Sequence, residues 1–291
     1  MISHKIPDRL FDFANCIFMI IVFIIMFYPF LYVFEYSVSN PALLTGGLLI
    51  IPKGFTLSSY LVLLTRGDVL SGLTISIART VMGPFGMLFV TAMAAYVITK
   101  DYLIGIKFFR KFFVFTMYVS GGIIPSYVLM KSLHLTNNFF VYILPVLLSA
   151  FNLILIKTYI EDLPKSLEES AIIDGANEAT VFFRIIFPLC TPILAAVCLF
   201  AAIGQWNSFI DTQLYNSMNR NLYTLQYVLY NYLAAITLSL DQAKNNDKGL
   251  IATPESLKMA ITAITMIPIL IIYPFIQKYF ISGLLIGAVK G

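Results

Sequence analysis

An all-α polytopic membrane protein with six transmembrane helices is the fold class this sequence predicts, and two observations carry the prediction. Of 291 residues 59% are hydrophobic and only 12% charged, against roughly 25% charged in soluble domains. Uncharged apolar windows of the ~20 residues that a helix needs to cross hydrocarbon begin near Asn15, Leu70, Phe112, Phe139, Pro188 and Met259. The bilayer is the natural solvent for such a chain.

The first element is a basic lead-in, residues 1–14, followed by an apolar run longer than a signal-peptide core and without a small-residue cleavage site. It reads as a retained first span, residues 15–34. Residues 35–69 then form an extracytoplasmic loop, and residues 70–281 a five-helix core with spans expected at Leu70–Ile98, Phe112–Met130, Phe139–Ile156, Pro188–Phe209 and Met259–Gln277. The polar stretch from Asp211 to Glu255 becomes a second outer loop, and residues 282–291 a tail.

Six spans put both termini on one side. Basic residues beside the ends on that side, Lys5, Arg9, Lys100, Lys107, Arg110 and Lys111 among them, outnumber those opposite, such as Lys53, Lys131 and Arg220. The positive-inside rule therefore favours cytoplasmic termini in a multi-pass protein of a bacterial inner membrane.

The net charge of +4 is scattered between apolar runs, which excludes the basic face that nucleic-acid binding needs. Cys16, Cys190 and Cys198 lie in apolar stretches without metal-ligand spacing and read as packing residues. No metal site is expected.

Between the fourth and fifth spans lies a loop, residues 161–187. Ser166 and Glu169 have capping-box spacing, which predicts a helix beginning at Leu167. Leu167, Ala171 and Ile172 form a narrow apolar stripe, Asp174 and Gly175 supply turn chemistry, and a second helix is expected over Ala176–Phe183. Pro188 suits the first turn of the fifth span. A helix pair of this kind can dock in a groove of a soluble partner; it also reads as a solvated connector.

This loop resembles the EAA motif of ABC importer permeases: Glu-Ala-Ala, three residues, Gly, nine residues, then Ile, any residue, Leu-Pro. Here Glu169, Ser170, Ala171, Gly175, Ile185, Phe187 and Pro188 occupy those positions. Ser170 and Phe187 depart from the motif. The run from Pro164 to Pro192 and the ending QKYFISGLLIGAVKG are similar to the smaller maltose-type permeases of the carbohydrate branch, and the resemblance extends from about Leu70 to the C-terminus.

The resemblance implies a type I ABC importer permease fold. It makes Glu168, Glu169, Ala171, Asp174, Gly175, Ala176 and Arg184 the contact to an ATPase subunit, and it brings the tail, with Gly287, Lys290 and Gly291, to the ATPase interface. It further implies a heterodimer with a second homologous permease, two ATPase subunits and an extracytoplasmic sugar-binding protein. The function implied is alternating-access import of a sugar, an oligosaccharide or glycan fragment.

The chain holds no phosphate-cradling GxxxxGK[ST] loop, so no cofactor is expected on it; ATP and Mg belong to the ATPase partner. His4 and His134 both lie near span ends, leaving no imidazole for a membrane hydrolase, and no enzyme activity is expected. Arg79 is the ionisable residue within the spans as drawn and is expected to snorkel to the interface. Asn152, Gln205, Trp206, Asn207, Gln226, Tyr227 and Tyr230 offer the amide and aromatic chemistry of a sugar path, although Trp206 and the tyrosines equally suit an interfacial belt. Gly83 and Gly86 read as helix-packing positions. The alternatives are an importer permease for a peptide or other neutral solute, and a secondary carrier, which would need intramembrane ionisable residues.

Overall fold

The computed structural model describes residues 6–44, 47–65, 67–239 and 253–288. They form α1 (Ile6–Ser37), α2 (Ser58–Thr65), α3 (Asp68–Thr99), α4 (Ile106–Tyr118), α5 (Ile123–Ser132), α6 (Ala150–Glu161), α7 (Ser166–Ile173), α8 (Glu178–Val181), α9 (Phe187–Leu189), α10 (Thr191–Asn207), α11 (Ile210–Tyr215), α12 (Leu225–Ser239) and α13 (Pro254–Ala288). The chain divides into two compact units, Met1–Gly67 with Asn231–Ile267, and Asp68–Tyr230 with Pro268–Gly291.

In the first unit α1 carries a span at Phe11–Ser37 with mean hydropathy 2.7, and 0% of its most apolar window is buried by the chain. A helix apolar all round must meet an apolar medium. It outruns the expected 15–34 at both ends and passes through Pro29, as membrane helices tolerate. The expected loop 35–69 is not wholly irregular: it contains α2, tied to the end of α1 by a 2.7 Å hydrogen bond between the Ser37 and Tyr60 hydroxyls.

In the second unit α3 packs against α10 and α6. Met87, Ala92, Ala95 and Ile98 of α3 share a buried cluster with Leu153 and Ile156 of α6 and Leu194 and Val197 of α10. The glycines behave as expected of packing positions. A Cβ on Gly83 would stand 3.1 Å from the Gln205 side chain, and one on Gly86 would stand 2.8 Å from the Leu147 side chain.

Among the described residues three helices are long and apolar enough to cross a membrane, Phe11–Ser37, Asp68–Thr99 and Pro254–Tyr273, and the number is six if each of three bent helix pairs is one span. The expected third span breaks by 118° between α4 and α5, the fourth by 44° before α6, and the fifth by 76° before α10. Each break has a local cause. Gly122 has φ +81° and precedes Pro125. Pro145 sits in the opening of a 3₁₀ turn over Leu144–Val146, after which Ser149 caps α6 through the amide of Asn152. Pro192 opens α10, where a missing amide hydrogen costs nothing. The expected outer loop 211–255 is likewise not wholly irregular: it contains α11 and α12. The run LQYVLYNYLAA is apolar enough to bury a helix face.

Candidate functional site

The loop between α6 and α10 folds as a helix-turn-helix. α7 ends in a reciprocal pair of backbone bonds: the Ala176 amide donates to the Ala171 carbonyl at 2.9 Å and the Gly175 amide to Ile172 at 3.0 Å. With Gly175 at φ +83°, this is a Schellman turn, which needs a left-handed residue at that position. Two details differ from the sequence expectation. Ser166 lies inside α7, with Lys165 at the cap position and no side-chain cap; α6 runs on to Glu161, and the short link leaves Ser166 no extended conformation from which to cap. The second helix starts at Glu178 rather than Ala176, because the Asn177 side chain accepts from the Thr180 amide at 2.8 Å and so takes the N-cap. It continues into a wide π turn over Phe182–Ile186.

Ala171 and Ala176 face inward against the buried cluster. Glu169, Asp174, Gly175 and Arg184 are exposed, and Arg184 makes no ion pair among the described residues. Ile173 at the turn is 85% exposed and Ile172 49%. The free apolar face of the loop is thus carried by Ile172 and Ile173 rather than by Ala171.

The loop is fastened to the end of α3. Lys100, 9% exposed, forms an ion pair with Glu168 and lies 3.6 Å from Glu178. The Tyr96 hydroxyl donates to Glu178, as does that of Tyr102 at 2.7 Å. The Lys100 ammonium sits 4.2 Å above the Tyr96 ring, and Tyr96 packs 5.2 Å from Phe182. The hydrogen bond to Glu178, and then burial, hold the Tyr102 phenol above its ordinary pKa.

Towards the other end of α3 lies a cavity of about 470 Å³ lined by Arg79, Gly83, Pro84, Met87, Pro145, Ser149, Asn152, Gln205, Ser208 and Asp211 among others, a size within the range of small-molecule sites. Arg79 does not snorkel. It is 1% exposed, its Nε donates to Gln205 at 2.7 Å, and its two Nη atoms grip the Asp211 carboxylate. Its guanidinium lies 4.4 Å over the Tyr142 ring. Asp211 also accepts from Ser208 at 3.1 Å and from the Thr212 amide at 2.9 Å.

No protein-family model matches the chain. It is 39% identical over 287 residues to Protein LplC of Bacillus subtilis (strain 168), covering 97% of this chain and 96% of that one. The chain is 34% identical over 287 residues to the polygalacturonan/rhamnogalacturonan transport system permease protein YtcP of the same organism, covering 98% and 99%. The chain belongs to the carbohydrate-type ABC importer permeases. A solved bacterial ABC transporter involved in the import of the acidic polysaccharide alginate matches with TM-score 0.85 and 28% identity, over 96% of this chain and 100% of that chain. The permease is accordingly a membrane transport subunit and not an enzyme, and such subunits work within a larger importer.

The structure sorts the expected path residues of the permease. Asn152 and Gln205 line the cavity. Trp206 is 6% exposed and absent from the lining, and Asn207 closes α10 at the surface. Tyr227 and Tyr230 belong to an aromatic stack instead, with Tyr223 4.8 Å from Tyr227 and Phe209 4.8 Å from Tyr230; Gln226 is half-buried beside them. Adjacent helical residues such as Gln205 and Trp206 point about 100° apart, and Gln205 is the one that reaches this cavity. Gly287 lies in α13, while Lys290 and Gly291 lie outside the described residues. Sequence reasoning missed Tyr96, Tyr102, Glu178 and Asp211. For Tyr96, Tyr102 and Asp211 the one-dimensional signal was only that each is polar and stands at or near a span end, and for Glu178 only its place in the loop 161–187.

Proposed function

We propose that this permease imports an oligosaccharide or glycan fragment by alternating access, as one half of a heterodimer with a second homologous permease. Two ATPase subunits holding ATP and Mg drive it, and an extracytoplasmic sugar-binding protein delivers the solute. The chain sits in the bacterial inner membrane with both termini in the cytoplasm, a reading supported by the bias of its basic residues. The name of YtcP and the alginate importer support a glycan as solute.

The observation that carries the coupling role is the Schellman turn at Gly175, which leaves Ile172 and Ile173 at the tip of a rigid loop. An amphipathic helix end of this shape docks by laying its exposed apolar residues into a groove. Glu168, Glu169, Ala171, Asp174, Gly175, Ala176 and Arg184 form or flank the docking segment, and the tail with Gly287, Lys290 and Gly291 approaches the same ATPase interface. Asn152 and Gln205 offer amide groups to sugar hydroxyls.

The test is affinity purification of the intact permease from detergent extract beside a Gly175→Pro variant, with uptake of pectic and alginate oligosaccharides measured in parallel. Co-purification of an ATPase and a second permease, lost in the variant together with uptake, is expected. A wild-type chain that purifies alone, or a variant that keeps both ATPase and uptake, overturns the reading.

A further inference from the structure

We propose that α3 is the lever joining the coupling loop to the cavity and that Lys100 is the positioning residue that fastens the loop to it. The inference rests on the importer reading above and deepens it.

Lys100 follows the last residue of α3, where the negative end of the helix dipole favours a cation. From there its ammonium reaches Glu168 on α7 and Glu178 on α8, so a single charge ties both halves of the loop, on either side of the Gly175 turn, to one helix end. Tyr96, one turn earlier, binds the same Glu178 and packs on Phe182. The fastening is therefore double, polar through Lys100 and apolar through Tyr96.

The same helix carries Arg79, Gly83, Pro84 and Met87 on the cavity wall. From Arg79 to Lys100 is about 31 Å at the helical rise. Over that length α3 is packed against α6 and α10, which also contribute to the cavity. A displacement of α7 and α8 must then move α3 or break a mostly buried ion pair, and breaking such a pair by losing one partner is costly. Coupling over such distances is carried by packed rigid elements of this sort.

The experiment uses the complete importer reconstituted in vesicles, comparing wild type with Lys100→Met, Lys100→Arg and Glu178→Gln. Subunit composition, ATP hydrolysis and sugar imported per ATP are read for each. Lys100→Met is expected to keep its ATPase subunits and hydrolysis while sugar imported per ATP falls roughly tenfold, with Lys100→Arg restoring most of it. If Lys100→Met does not assemble, Glu178→Gln, which leaves Lys100 its Glu168 partner, is expected to show the same loss in smaller degree. Wild-type sugar per ATP in Lys100→Met or Glu178→Gln, whichever assembles, overturns the lever, as does loss of ATPase binding by a Glu178→Gln permease whose melting is unchanged. A wild-type complex that neither binds an ATPase nor imports sugar sinks the importer reading itself, a different result from a coupled wild type with coupled variants.

Discussion

Arg79 on α3 and Asp211 on α11, separated by 132 positions in sequence, are joined through both guanidinium Nη atoms and the two carboxylate oxygens. Gln205 takes the remaining Nε hydrogen and passes its own amide hydrogen to the Tyr142 carbonyl at 3.0 Å. Both charges are satisfied, so the pair adds polarity to the cavity wall without leaving an open proton site of the kind a secondary carrier uses.

Removing the acid alone strands a buried cation. Asp211→Ala is expected to destabilise the permease by about 3–5 kcal/mol, whereas Arg79→Met with Asp211→Leu costs less than the single change. Thermal unfolding in detergent measures both; a single variant melting like wild type contradicts the buried-pair account.

At Gly175 a Cβ would meet nothing within 4 Å, so φ +83° is the whole constraint. Gly175→Ala is expected to cost about 1 kcal/mol, through the left-handed conformation alone. Gly175→Asn should lie closer to wild type, because Asn tolerates that region. The order Gly, Asn, Ala in sugar uptake and in melting temperature is the expected readout; Ala equal to Gly would show that the turn does not require the left-handed residue.

Close approach is the constraint at Gly83. A Cβ there would press on Gln205 at 3.1 Å, and Gln205 is the partner of Arg79 Nε. Gly83→Val is expected to destabilise by about 1–3 kcal/mol as an overpacked site. Gln205→Ala removes the clashing amide but also strands Arg79 Nε, so the two changes together are expected to cost less than the sum of the single losses; the thermal melts of single and double variants decide it.

Asn152 lines the cavity, and among the described residues its side-chain amide makes only a 3.7 Å contact, with the Met87 sulfur. Asn152→Leu is expected to leave stability within about 0.5 kcal/mol and to lower sugar uptake about fivefold, the effect of one lost hydrogen bond to the solute. Tyr230→Phe, placed in the aromatic stack, is the control. Equal losses in the two variants would argue that the cavity is not the path.

Local features were legible in one dimension. The apolar windows marked where membrane helices lie, and the EAA-like spacing around Gly175 located the turn, because helix ends are set by residues within a few positions of one another. Ser166 misled for a local reason as well: capping-box spacing was present, but a neighbouring helix end left no room for the extended cap conformation, and Asn177 capped the next helix instead.

Sequence by itself determined the solvent of this protein, its helical class and the position of the helix-turn-helix between α6 and α10, since each follows from composition or short-range spacing. Tertiary structure alone decided that Arg79 turns inward to Asp211 and that Lys100 holds both Glu168 and Glu178. The physical reason is that a polar side chain in an apolar helix has the same neighbours in sequence whether it reaches for the interface or for a partner on another helix. Only the packing of α3 against α6 and α10 chooses between them.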